Sequence, residues 1–218
     1  MIKFLKQTNA PIQFACAEMV NVKVTDQLYV FDRLIESALN YSDLYQWTPL
    51  SEIPGVQEAR RFFRSIGIDP TKRRPSSEAL LNRAIKRKEL YSVNTLVDIG
   101  NWCSLDFLLP TCIYDANKIM GDVAIRLGKK CESYLALNNR EMGFHDRLVL
   151  ADDDGPFGSP MTDSQRTAAG QKTGHAIIGI WAPLDYDVEK LKNQIELFAN
   201  RSSDACGGKI LKVQIISN

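Results

Sequence analysis

The chain has 218 residues, of which 44% are apolar and 24% charged, and its formal net charge is +1. That is the composition of an ordinary globular protein and excludes the disordered and fibrous classes. So small a net charge also excludes a global attraction to nucleic acid or to an anionic membrane, and any such partner has to be held locally.

Five cysteines, an odd number with no C-x-x-C pair, argue against a disulfide framework and a zinc knuckle and fit a reducing cytoplasm. The opening residues, MIKFLKQTNAPIQFACAEMV, are interrupted by Lys6, Gln7, Asn9 and Pro11 before a signal-peptide core develops. No run approaches the roughly 20 apolar residues of a bilayer span. One soluble, cytoplasmic domain over residues 1–218 is expected, with no membrane partner.

In chain order, FACAEMVNVKV is β-rich with Val20, Val22 and Val24 pointing one way, and reads as a first strand. A helix over about Tyr29 to Trp47 follows, with Val30, Leu34, Ala38 and Tyr41 at helical spacing. A second helix begins near Pro54 and stops at Gly67. After the turn IDPTKRRP, Ser76 or Ser77 is expected to cap a helix carrying Ala79, Leu80, Ala84 and Ile85. VNTLVDIGNWCSLDF reads as another helix, with Val93, Leu96, Val97, Gly100 and Cys103 on one face. Beyond Pro110 the character changes. DVAIRL, SYLALN, RLVLAD, HAIIGIWAP and KILKVQII read as strands, and Asn138–Asn139 as a turn. DYDVEKLKNQIELFANRS is an amphipathic helix with Val188, Leu191, Ile195 and Phe198 in register. Helices gather in the first half and strands in the second, so the fold class is α+β, helices packed on a mostly antiparallel sheet.

Charge is unevenly placed. Between Arg60 and Leu90 ten basic residues face three acidic ones. Arg60, Arg61, Arg64, Lys72, Arg73, Arg74, Lys86 and Arg87 are candidates for gripping an RNA phosphate backbone through charge-assisted hydrogen bonds and counterion release. The same run also reads as the solvated face of two helices. The segment has no aromatic pair for stacking bases, which weighs against sequence-specific single-strand binding.

The stretch VLADDDGPFGSPMTDSQRT concentrates chemistry. It fails as an EF-hand, because the fifth and sixth positions from Asp152 are Pro156 and Phe157. It lacks the Gly-Lys-Ser/Thr of a Walker loop. Asp152, Asp153 and Asp154 cannot all face one ion from an extended chain. No metal and no cofactor is expected. What remains is a strand end running into a loop where Gly155 and Gly158 permit close approach of a ligand and Asp153 or Asp154 can receive an ammonium group, such as that of an amino acid. Downstream, Thr162, Ser164, Arg166 and Thr167 suit sugar or phosphate oxygens; equally, Asp163 or Ser164 caps a turn and Arg166 pairs with an aspartate. His145 and His175 have no ligand-spaced partner and read as ordinary polar residues. Cys112 is a nucleophile only beside a cation that lowers its pKa, and otherwise a buried thiol.

Four segments in order, RRPSSEALLNRAIK, VNTLVDIGNWCSL, GDVAIRL followed by ESYLAL, and LVLADDDGPFGSPMTDSQRT, resemble the B3/B4 domain of the phenylalanyl-tRNA synthetase β subunit, and more closely the stand-alone B3/4 proteins related to it. The resemblance spans roughly residues 54–183 and implies a three-layer α+β domain. In the synthetase the module is an editing site that hydrolyses tyrosine wrongly joined to the phenylalanine tRNA. The synthetase pattern R-P-V-N-N-x-V-D-V-T-N-Y is matched here by YSVNTLVDIGNW, which keeps Asn94, Asp98 and Asn101. Its P-L-H-A-F-D is PTCIYD here, which puts Cys112 at the histidine that lines the editing pocket. The Gly-Gly-Glu region is replaced by GSPMTDSQRT, so tyrosine specificity does not carry over, whereas the pocket's position does.

The resemblance implies an enzyme that hydrolyses a mischarged aminoacyl-tRNA ester in trans, by positioning a water and stabilising the oxyanion. In that role Asp153 or Asp154 receives the α-ammonium and backbone N–H groups near Gly155 and Gly158 face the oxyanion. Asn94 and Thr167 orient the water or ribose, and Arg166 meets the terminal phosphate. Asp98, Cys112, Asp163 and Ser164 complete the expected substrate pocket. Expected partners are tRNA or aminoacyl-tRNA and an amino-acid-like small molecule, not DNA. The alternative is a module that binds tRNA, RNA or an amino-acid-like ligand without turnover.

Overall fold

The computed structural model describes residues 1–217. Two strands form its centre, β2 (Ile12–Val20) and β9 (His175–Pro183), paired antiparallel along their whole length from Ile12 opposite Pro183 to Val20 opposite His175. Both are covered on two faces, which is why their sequences are nearly unbroken apolar runs rather than alternating ones. β3 (Thr111–Asp115) extends the sheet beside β9, and β10 (Lys209–Ile216) beside β2, in the order β10-β2-β9-β3.

One face of this sheet carries two helices, α4 (Thr95–Phe107) and α5 (Val188–Cys206). Ala15, Ala17, Ile178 and Ile180 from the strands meet Ile99, Cys103, Leu191, Ile195 and Phe198 from the helices, all fully buried. Each large apolar side chain removed from water here contributes about 1.5–3 kcal/mol. The other face meets a second sheet of β1 (Phe4–Lys6), β4 (Val123–Leu127), β7 (Leu148–Asp152) and β8 (Gly155–Gly158), in the order β1-β4-β7-β8, antiparallel except for β1 with β4. Phe14, Tyr114 and Trp181 interleave there with Ile125, Leu150 and Phe157. A small hairpin of β5 (Ser133–Leu135) and β6 (Glu141–Gly143) closes over the far side of the second sheet.

The remaining helices, α1 (Leu28–Tyr45), α2 (Val56–Ser65) and α3 (Ser76–Ile85), build a cluster around Leu34, Leu81 and Leu105. α2 also reaches the space between the sheets, where Phe62 stacks on Trp181 with ring centroids 6.0 Å apart. The architecture is the expected three-layer α+β arrangement. Three local expectations differ. β2 stops at Val20 because Asn21 takes a positive φ of 58°, and Val22 and Val24 are buried beyond the strand. Neither Ser76 nor Ser77 caps α3: its N-cap is Pro75, without a side-chain bond. Val93 precedes α4 and is exposed.

Candidate functional site

α4 is fixed at its start. Asn94, in extended backbone, accepts the Val97 N–H at 3.0 Å through its side-chain oxygen, satisfying one of the helix's orphan donors. Asp98, buried one turn in, accepts the Val93 N–H at 2.9 Å and the Ser92 hydroxyl. These two residues aim the next turn, Gly100 and Asn101, across β3. Gly100 lets α4 lie close on β3, since a Cβ at that position would lie 2.6 Å from Ile113 Cδ1 and displace the end of that side chain. The opposing wall is the loop 159–163, which bonds to itself. The Ser159 hydroxyl donates to the Thr162 carbonyl at 2.8 Å and accepts the Met161 and Thr162 N–H groups, and the Tyr134 hydroxyl donates to the same carbonyl at 2.7 Å.

Between α4, β3 and this loop lies a cavity of about 310 Å³ lined by Gly100, Asn101, Thr111, Cys112, Met161 and Asp163, among others, with Ser76 at its rim. That size is at the low end for small-molecule sites and suits a group no larger than an aminoacyl moiety. Its charged side chain is Asp163, whose carboxylate accepts a 2.6 Å hydrogen bond from the Tyr114 hydroxyl. Loss of water around the carboxyl pushes its pKa up to about 7, against the opposing effect of the bonds from Tyr114 and the Ser159 backbone. Burial, and then the Asp163 charge, hold the Cys112 thiol well above its ordinary value. A neutral thiol is a poor nucleophile, so the chemistry this cavity offers is that of a carboxyl poised near neutrality beside polar side chains.

Of the residues expected to form a substrate pocket, the structure brings Cys112 and Asp163 together in this cavity; Asn94 and Asp98 lie on the same helix but serve its N-terminus. Asp153 and Asp154 form the two-residue turn between β7 and β8, closed by Gly155 at φ +109°. Asp153 lies against Gly121 and Asp154 is exposed. Neither borders the cavity. Gly158 is approached not by a ligand but by Tyr114, whose hydroxyl would be 2.2 Å from a Cβ at that position. Arg166 pairs with Asp152 in two hydrogen bonds at 2.8 and 2.9 Å. Ser164 is buried and accepts the Arg166 N–H at 3.0 Å. Thr167 is buried, with no hydrogen-bond partner for its hydroxyl among the described residues.

The basic segment divides likewise. Arg60 makes two hydrogen bonds, 2.8 and 2.6 Å, to the buried Glu78, and Arg74 approaches the same carboxylate at 3.3 Å. Arg61 pairs with Glu58 and Asp185, and Arg87 with Asp43. Arg73 reaches Met161 Sδ at 3.9 Å. Arg64, Lys72 and Lys86 are exposed. The residues that sequence reasoning passed over are Ser76, Thr111, Tyr114 and the 159–161 turn. Asn101 carried a signal, lying seven residues, two helical turns, from Asn94. Among the described residues no group of three or more His, Cys, Asp or Glu could hold a metal ion, and no helix is long and apolar enough to cross a membrane.

A family model described as the B3/4 domain matches residues 58–204. The phenylalanine–tRNA ligase β subunit of Bartonella henselae is 35% identical over 92 residues, 41% of this chain and 11% of that protein. That of Neisseria meningitidis is 28% identical over 105 residues, 48% of this chain and 13% of that protein, and that of Psychrobacter arcticus 26% identical over 132 residues, 60% and 16%. This chain thus spans a small part of those curated relatives. Among solved structures, an N-terminal fragment of the phenylalanyl-tRNA synthetase β subunit from Pyrococcus horikoshii aligns over 100% of this chain and 56% of its own, with a TM-score of 0.50 at 11% identity, a likeness of fold.

Proposed function

The chain belongs to the B3/4 domain family, and from that premise we propose that its cavity receives the aminoacyl group of a mischarged tRNA and hydrolyses the ester in trans. The observation that carries this reading is the place of Asp163 in an aminoacyl-sized cavity, held by the Tyr114 hydroxyl, its carboxyl pushed up to about 7 by loss of water and adjoining Cys112, the position at which the family resemblance puts a pocket histidine. A water adds to the ester carbonyl while its proton passes to the Asp163 carboxylate. The tetrahedral intermediate then collapses, the ribose oxygen departs with the proton returned by Asp163, and free amino acid is released. Asn101 and Thr111, which line the same space, orient the water and the oxyanion. The cytoplasm is the compartment in which such a substrate is met.

The neutral Cys112 thiol at the histidine position favours a second reading, in which Asp163 receives an α-ammonium group and no bond is broken. A panel of mischarged tRNAs presented to the wild type and to Asp163→Asn separates the two. Release of amino acid well above the spontaneous rate, lost in the variant, supports hydrolysis. Retention without release, also lost in the variant, supports the binding module. Indifference of every ester to the protein removes both.

A further inference from the structure

The cavity that holds Asp163 has an apolar side that ester chemistry leaves unused. Val97 from α4, Ile113 from β3, Leu137 from the turn between β5 and β6, and Pro160 and Met161 from the loop 159–163 all line it. Pro160 is buried, Val97, Ile113 and Met161 are half-buried, and Leu137 is 54% exposed. Among the described residues no aromatic and no cationic side chain lines the space. Four separate elements thus converge to leave aliphatic surface open to water inside one concavity, and covering such surface with an apolar group is favourable.

Leu137 is exposed, yet its backbone is tied down. Its N–H donates to the Asp163 carbonyl at 3.0 Å, and the Ala136 N–H closes the turn on the Arg140 carbonyl at 2.9 Å. From beyond the loop, the Gln165 side-chain amide donates to the Ala136 carbonyl at 3.1 Å and to Asn139 Oδ1 at 2.6 Å. The hairpin turn is therefore fastened to the segment that carries Asp163, and an apolar side chain is kept where the cavity opens to solvent.

We propose that this apolar side selects aminoacyl groups with a branched aliphatic side chain, such as that of leucine, and that Leu137 is the residue that sets the selection. The assignment rests on the reading of the cavity as an aminoacyl site. In that site Asp163 is engaged with the reacting ester or the ammonium group, so a charged side chain on the substrate finds no second ionic partner in the lining and loses its water without compensation. A short polar side chain leaves the methyl groups of Val97, Ile113 and Leu137 uncovered. An aromatic one meets no ring to pack against.

The test is calorimetric titration of the full chain with adenosine that carries an aminoacyl group on its 3′ position through an amide, a linkage that ester hydrolysis does not consume. The leucyl derivative binds at least about tenfold more tightly than the alanyl, seryl and lysyl derivatives, and more tightly than the phenylalanyl one. Leu137→Ala weakens leucyl binding about fivefold and leaves alanyl binding as it was. Val97→Thr, which keeps the shape and adds a hydroxyl, also lowers leucyl affinity alone. A leucyl amide bound with this preference while the leucyl-tRNA ester survives untouched sets hydrolysis aside and leaves the selection standing. Equal affinity for the leucyl and alanyl derivatives overturns the proposal, as does tightest binding of the seryl, lysyl or phenylalanyl derivative, or of none. So does an equal loss of leucyl and alanyl affinity in Leu137→Ala, the result of a merely structural role.

Discussion

The hydroxyl of Tyr114 reaches Asp163, 2.6 Å away, across a gap that exists because residue 158 has no side chain. Tyr114 comes from β3 in the central sheet and Gly158 from the end of β8 in the second. The ionisable group of the cavity is thus set by a contact between two sheets.

Gly158→Ala therefore pushes the Tyr114 ring away, and the fully buried ring has little room to yield. Overpacking of this kind costs about 1–3 kcal/mol. Gly100→Ala is expected to cost less, because its added methyl meets the free end of the Ile113 side chain, which can turn aside. Urea denaturation of the two variants side by side gives the order, and equal costs would contradict it.

Asp163 makes stability depend on pH in a defined direction. Its carboxyl is raised to about 7 in the fold and titrates near 4 in the unfolded chain. Between those values the folded state holds a proton that the unfolded state has released. Stability attributable to this group is therefore full at pH 4, falls as the pH rises to 7 and levels off above. Asp163→Asn lacks that fall, so by pH 8 the variant gains about 1–2 kcal/mol on the wild type, allowing for water at the cavity mouth. Denaturation midpoints at pH 4, 6 and 8 that stay parallel for the two proteins would refute the assignment.

Two ion pairs of the basic segment differ in worth. Arg60→Ala deprives a 1% exposed Glu78 of its two-pronged partner and leaves it Arg74 alone, at 3.3 Å, and breaking a buried pair costs up to about 3–5 kcal/mol. Asp43→Ala removes a pair whose members are 66% and 62% exposed, worth about 1 kcal/mol or less. Thermal unfolding of both variants reports the contrast.

Cysteine chemistry supplies a further check. Cys131 is exposed and the other four are buried, with Cys16 and Cys103 each raised to about 12 by burial. Alkylation of the native protein near neutral pH is expected to label Cys131 first, seen by peptide mass. Cys112→Ala should leave whatever the cavity does to its ligand unchanged, since a neutral thiol takes no part.

Much of the fold was legible in local pattern. The helical spacing of Leu191, Ile195 and Phe198 and the apolar runs of β2 and β9 marked the helices and the strands they cover, because burial of those faces is what forms them. β8 was not legible: GPFG has the composition of a loop, and its pairing with β7 is supplied by a neighbouring strand. β3 was hidden by its length, five residues with polar ends. At the site, Asp163 was visible as a candidate among several acids. Its distinction from Asp152, Asp153 and Asp154 comes from burial in the cavity, beside Tyr114, 49 positions away in the chain, and no local spacing encodes such surroundings. Arg166 illustrates the same limit, since both of its readings were open until Asp152 was seen beside it.

The order of the central sheet carries a consequence for biogenesis. β2 lies between β9 and β10, so residues 12–20 have both of their edges open until residues 175–216 leave the ribosome. Pairings of such long sequence separation close slowly. During that interval an apolar, unpaired ribbon is the segment most exposed to association with other nascent chains.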